Sequence, residues 1–199
     1  PSRTKSNVAD PQNNIQQRYY DPSHEFYLAL GLLPTDPYQM GYFVHSGYTV
    51  HINTFFGVGV FGAYGIYNDK FLKGEILAKR DTAKASLEAF PRAQAIGGIS
   101  FVYRPLYGKM IHGGARDLTY ELFLRAGASG GWGQDVENAT RSAKGDAFLP
   151  GGHLGIGVRL WLTRQLSLRF DLEETIFIAP AEFLSAFNLR LGIAFNLIR

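Results

Sequence analysis

The sequence predicts an all-β chain: a closed antiparallel transmembrane β-barrel of about eight strands, its lumen filled by side chains. Three observations predict it. Apolar and polar residues alternate with period two in a series of runs after residue 24, as strands with two unlike faces require. No stretch approaches the roughly 18 consecutive apolar residues of a transmembrane helix, so a chain that crosses a bilayer must do so with strands. Connections alternate between very short and long, the habit of barrels with tight turns at one end and loops at the other.

The elements follow in order. Residues 1–24 are polar without a sustained period and read as a periplasmic N-terminal tail, leaving 25–199 as the barrel domain. The first run sets Phe26, Leu28, Leu30 and Leu32 against Glu25, Tyr27, Ala29 and Gly31, and Pro34, Asp36 and Pro37 break it. The second sets Tyr42, Val44, Tyr48, Val50 and Ile52 against Phe43, His45, Gly47, Thr49 and His51, before a short turn around Asn53. The third sets Phe56, Val58, Val60, Tyr64 and Ile66 against Gly57, Gly59, Phe61, Ala63 and Gly65. The fourth, near 93–104, sets Ile99, Phe101 and Tyr103 against Gly98, Ser100 and Arg104, and is irregular; residues 107–112 can extend it. The fifth carries Leu118 to Ala128, the sixth Leu154 to Leu162, the seventh Leu166 to Leu172 and the eighth Phe187 to Leu197, each in the same alternation. Runs of about 9–13 residues suit tilted strands crossing a bilayer.

The phase of the pattern says which face meets lipid. With the opposite phase, Arg125, Arg159, Arg169 and Arg190 would face hydrocarbon. Each would cost about 2–4 kcal/mol near the midplane, and together roughly 8–16 kcal/mol, comparable to the stability of a whole domain. The apolar face therefore points out. The inward set then holds Arg104, Arg125, Arg159, Arg169 and Arg190 with Glu25, Glu121, Asp171 and Glu173. An eight-stranded barrel is just wide enough for side chains to fill it, so these nine residues are expected to form an ion-pair network. A lipocalin-like barrel or β-sandwich is the soluble alternative, with the charged face toward water. The Gly-rich, Lys-poor polar face and aromatics near strand ends (Tyr42, Tyr64, Tyr103, Phe187) argue against it.

Tight turns near 53–54 and 163–165 and long connections at 67–92 and 130–148 place both termini in the periplasm of an outer-membrane protein. In segment 71–90, Leu72, Ile76, Ala83, Leu87 and Phe90 share one side of a helical wheel, the pattern of a short loop helix. The Asn138-Ala139-Thr140 sequon is accidental in this setting. The chain starts at Pro1, so a removed signal peptide is expected. At the other end, either Phe195 takes the place of a terminal aromatic or a short tail follows Arg199.

Composition excludes several classes. Without Cys there is no disulfide scaffold and no thiolate metal site. A net charge of +3 with scattered basic residues carries no nucleic-acid footprint. Lipid-modifying barrels need Ser, His and carboxylate at the lipid-facing rim. Here His45, His51 and His153 all fall on the inward face, and Ser46 has no His or acid beside it on the outer face. His45 and His51 lie about 20 Å apart along one strand, so they cannot share a metal ion. Gly57-Val58-Gly59 and Gly151-Gly152 precede no helix and are not nucleotide loops. No catalytic, cofactor-binding or metal-ligating set is assigned.

Three segments resemble one family. Residues 15–20 with Glu25-Phe26 resemble the approach to its first strand. Pro34-Thr35-Asp36-Pro37-Tyr38 resembles its first extracellular turn, and Tyr48 to Asn53 its first periplasmic turn. Arg104-Pro105-Leu106-Tyr107-Gly108-Lys109-Met110, with Asp117 after it, resembles its later turn signature. The family is the outer-membrane β-barrel domain of myxobacteria, predatory bacteria and relatives, which includes barrels associated with gliding-motility envelope complexes. The resemblance implies fold and location, with Pro34, Asp36, Pro37, Pro105, Tyr107, Gly108 and Lys109 as structural turn residues.

The leading functional expectation is a non-enzymatic anchor or scaffold in a cell-envelope complex. Its partners would be outer-membrane lipid and envelope proteins reached through the tail, turns or loops. The alternatives are a narrow outer-membrane pore and an enzyme acting on outer-membrane lipid.

Overall fold

The computed structural model describes residues 20–33, 39–69, 92–112, 116–134, 146–178 and 183–198. Eight strands run in chain order: β1 (Pro22–Leu33), β2 (Gln39–His51), β3 (Phe56–Asp69), β4 (Arg92–His112), β5 (Arg116–Gln134), β6 (Asp146–Trp161), β7 (Leu166–Ile178) and β8 (Phe183–Ile198). Each pairs antiparallel with its neighbours, and β8 returns to β1 through pairs such as Ala194–Tyr27 and Leu191–Leu30, closing the barrel. Closure removes the sheet edges, so every strand finds a partner on both sides.

Burial alternates along each strand in the phase the sequence predicts. Leu30, Leu154 and Phe183 on the outer wall are 70%, 67% and 75% exposed, whereas Glu25, Arg104, Glu121 and Arg159 inside are at most 1% exposed. A wall of exposed Leu, Ile, Val and Phe around buried Arg and Glu is a soluble barrel turned inside out. It suits hydrocarbon and excludes the lipocalin and sandwich alternatives.

Two tight turns mark one end, here the turn end. In the β2–β3 turn, the Asn53 side-chain oxygen accepts from the amides of Phe55 and Phe56, both at 2.8 Å. In the β6–β7 turn, Thr163 Oγ1 accepts from Gln165 N at 3.3 Å and Leu166 N at 3.0 Å. These side chains mimic a backbone turn and satisfy amides that the ladder leaves over. The strand ends Asp69, Arg92, Gln134 and Asp146 lie at the opposite end, here the loop end.

Three features differ from the sequence expectation. Strand β1 starts at Pro22, three residues before Glu25, because Pro22 opposes Ile198 across an irregularity in the register. Strand β4 reaches His112 and pairs with β5 up to Arg116, so Pro105, Tyr107, Gly108 and Lys109 lie within a strand and not in a turn. The register shifts between Tyr103 and Leu106, a bulge that accommodates Pro105, which has no amide to give the ladder. Strands β5 and β6 also extend into the expected loop, to Gln134 and from Asp146. The tail up to residue 19, the turn residues Pro34, Asp36 and Pro37, the sequon and the 71–90 helix lie outside the described residues.

Inward glycines make room for large neighbours. A Cβ on Gly47 would come within 2.6 Å of the Tyr27 hydroxyl oxygen, and Phe123 and Asp171 press on Gly157 in the same way.

Candidate functional site

Among the described residues, buried chemistry-bearing side chains gather in the lumen, which is layered. At the turn end, Arg104 on β4 and Arg159 on β6 share Glu121 on β5. Arg159 Nη1 donates to Glu121 Oε2 at 2.7 Å, and Arg104 Nη1 lies 3.5 Å from Glu121 Oε1. Glu25 on β1 accepts from both Arg159 and Arg169, and His51 Nε2 lies 3.2 Å from its Oε2. Arg169 lies over the rings of Tyr27 and Phe123, 4.2 and 4.5 Å from their centroids. The charged planes are thus sandwiched as well as hydrogen-bonded.

The middle layer is a second ion-pair set. Arg190 on β8 forms a two-pronged contact with Glu173 on β7, donating at 3.0 and 2.6 Å. Arg125 donates to the Tyr27 hydroxyl at 3.0 Å and lies 3.5 Å from Glu173. Asp171 links the two layers, lying 3.4 Å from Arg169 and 3.8 Å from Arg190 Nε. His45 lies 3.5 Å from Arg190, and Ser100 pairs with His153 at 3.0 Å. All nine network residues expected from the sequence therefore stand in the lumen, joined to one another by the contacts above. The three histidines belong to different parts of it. Among the described residues, no three His, Asp or Glu side chains come together as a metal-binding group.

Toward the loop end the lumen turns apolar. Leu33, Phe43, Phe61, Ala63, Ile96, Leu149 and Phe177 are all buried in one cluster that continues down to Tyr27, Ala29 and Ala194. Phe61 meets the His153 ring edge-on at 4.9 Å, joining the apolar cluster to the polar layer. The sequence reading placed Phe43 and Phe61 on the inward face by parity, yet the cluster itself was not foreseen. It depends on the register of β1 to β7, which no single run reveals.

Sequence reasoning also missed the residues just before β1. Asp21 accepts from Arg104 Nη2 at 3.2 Å and from Thr54 Oγ1 at 3.4 Å. Tyr20 stacks on Trp161 with ring centroids 4.9 Å apart and donates its amide to the Tyr107 hydroxyl at 3.3 Å. Among the described residues, five buried guanidiniums face four buried carboxylates inside the wall, and Asp21 is the fifth carboxylate. The available signal was Asp21-Pro22, since a residue before proline is held extended and can begin a strand. On the outer wall, Glu174 is exposed and accepts from Ser185 Oγ on β8.

No protein-family model and no curated protein matches the sequence. The chain is similar in structure to the N-terminal β-barrel domain of Pseudomonas aeruginosa OprF. The TM-score is 0.56 at 10% identity, covering 89% of this chain and 98% of that one. Neisserial surface protein A (TM-score 0.47, 10% identity, covering 87% and 94%) is less similar. So is Ail, the attachment invasion locus protein of Yersinia pestis (TM-score 0.44, 12% identity, covering 88% and 97%). The OprF likeness supports the eight-strand outer-membrane barrel fold.

Proposed function

We propose that this chain is a non-enzymatic outer-membrane barrel that acts as an anchor or scaffold in a cell-envelope complex, with both termini on the periplasmic side. One observation carries the reading: the lumen is filled along its length, by two joined ion-pair layers and then by the apolar cluster around Phe43, Phe61 and Phe177. A solute would have to break paired, buried charges and displace packed aromatic rings, so conduction is disfavoured. Catalysis on lipid is disfavoured because His45, His51 and His153 are buried inside the wall, away from the lipid-facing surface. Tight turns at the end where Pro22 and Ile198 meet support this orientation, since outer-membrane barrels keep their short turns on the periplasmic side. The resemblance to envelope barrels of gliding bacteria favours partners in the cell envelope.

Co-purification from membranes opened with mild detergent tests the proposal. A reproducible envelope partner supports it, and a strictly solitary barrel rejects the scaffold role. Planar-bilayer recording is the complementary test, in which stable ohmic steps would reject the filled lumen and favour a pore.

A further inference from the structure

We infer that Tyr20–Asp21 is a hinged strap across the turn-end mouth of the barrel, which opens as a unit without unzipping the wall and so controls water's access to the first charged layer. The strap is held by groups that lie far apart in the chain. The Tyr20 ring stacks on Trp161 of β6, and the Tyr20 amide donates to the Tyr107 hydroxyl of β4 at 3.3 Å. Arg104 of β4 and Thr54 of the β2–β3 turn donate to the Asp21 carboxylate at 3.2 and 3.4 Å. One dipeptide thus reaches over the mouth to β4 and β6, neither of which is a neighbour of β1 in the sheet. What lies beneath is buried, and the strap is not. Arg104 and Glu121 are fully buried and Arg159 and Trp161 nearly so, whereas the Asp21 side chain keeps 27% of its surface exposed. The strap also touches the layer at two points. Arg104 joins Asp21 to Glu121, and the Trp161 ring joins Tyr20 to the Arg159 guanidinium, which lies 5.5 Å from its centroid.

The attachment to the wall is built as a hinge. Tyr20 and Asp21 precede the first strand. Pro22 has no amide to give the ladder, and it opposes Ile198 of β8 alone, because the pairing with β2 begins at His24. The register with β8 skips Ser23, whose hydroxyl donates to the Leu197 carbonyl at 3.0 Å instead. Lifting the strap at Ser23 therefore breaks side-chain contacts and the bond of the Tyr20 amide, but no ladder hydrogen bond from His24 onward. Hinges are commonly a few residues at the end of an element, and segments outside the hydrogen-bonded ladder open locally ahead of the cooperative wall. With the strap lifted, Arg104 and Trp161 meet water while the layers above still fill the lumen. The inference goes beyond the scaffold reading and does not rest on it, because neither a partner nor conduction enters it.

Hydrogen exchange of the full-length chain folded in detergent tests it, with the Tyr20 amide as reporter. Asp21→Ala keeps both the Tyr20 amide and its Tyr107 acceptor. If the strap opens as a unit, that amide should nevertheless exchange about ten-fold or more faster, after correction for its intrinsic rate, as loss of hydrogen bonds between charged groups predicts. The β1 ladder amides from Glu25 onward should keep the parent's rates. The second readout lies across the mouth. The chain has two tryptophans, so Trp132→Phe leaves Trp161 as the single indole. In that background Asp21→Ala should open Trp161 to acrylamide quenching, although the Tyr20 ring that stacks on it is still present. Gel mobility checks folding. If Asp21→Ala does not fold, the parent supplies the same test, since urea below the unfolding midpoint should speed Tyr20 exchange ahead of the β1 ladder amides. An unchanged Tyr20 rate in folded Asp21→Ala, or a Tyr20 rate that rises only together with the ladder amides, overturns the inference. So does faster Tyr20 exchange with unchanged Trp161 quenching, because the two ends would then move separately.

Discussion

Glu25 on β1 and Arg159 on β6 meet across the lumen, although neither strand is a neighbour of the other in the sheet. Glu25 also receives Arg169 from β7, so one carboxylate ties three strands through the interior rather than along the ladder. The barrel is braced through its interior, and the brace is charged.

That geometry predicts an asymmetric response to mutation. Glu25→Gln leaves two buried guanidiniums short of a charge, and breaking a buried pair from one side costs about 3–5 kcal/mol. Adding Arg159→Met to Glu25→Gln removes one of the stranded charges and should recover part of the loss. Urea unfolding of the barrel in lipid vesicles, followed by tryptophan fluorescence, measures both. Equal stability of Glu25→Gln and the parent would mean that the pair does not form in the membrane.

Packing inside the wall predicts a second effect. The Tyr27 ring occupies the space over Gly47, and its hydroxyl accepts from Arg125. Gly47→Val should push Tyr27 aside and break that bond, costing about 1–3 kcal/mol for overpacking. Tyr27→Phe removes the hydroxyl alone and should cost less. Comparing the two in the same urea assay separates crowding from the lost hydrogen bond.

How much of this was legible in the sequence depends on range. The alternation of Leu28, Leu30 and Leu32 with Tyr27, Ala29 and Gly31 is local, so period two reveals the face of each residue without any knowledge of partners. The charged layers were legible for the same reason, because Arg125, Arg159, Arg169 and Arg190 all share the inward parity. The apolar cluster was not, since Phe43, Ile96 and Phe177 come together only through cross-strand register. Arg104-Pro105 broke the alternation and read as a turn, whereas the strand absorbs the proline in a bulge and carries on to His112. Asp21 lies outside the alternating region and gave no periodic signal at all.

The apolar cluster supplies a third prediction. Phe61 and Phe177 are buried at the loop end of the lumen, and truncating a buried Phe to Ala costs about 3–5 kcal/mol. Phe61→Ala should therefore lower the unfolding midpoint sharply while the ion-pair layers below still block the lumen. The expected bilayer recording for Phe61→Ala is silent. Ohmic steps in this variant would mean that the aromatic cluster, and not the charged layers, is the barrier.

The outer wall gives the fourth prediction, in two arms of opposite sign. Ile193 faces out in the middle of β8, flanked by Leu28 on β1 and Leu168 on β7. Ile193→Arg puts a guanidinium into hydrocarbon and should destabilise by about 2–4 kcal/mol in lipid vesicles. Glu174 is the reverse case, an exposed carboxylate among Leu154, Leu172, Ile176 and Phe187 on the same wall. Lipid-facing acids cost less than Arg or Lys, so Glu174→Leu should stabilise the barrel by a smaller amount and leave its gel mobility unchanged. The two arms together test the phase on which the fold rests. A barrel with its charged face outward would tolerate Ile193→Arg and lose stability with Glu174→Leu.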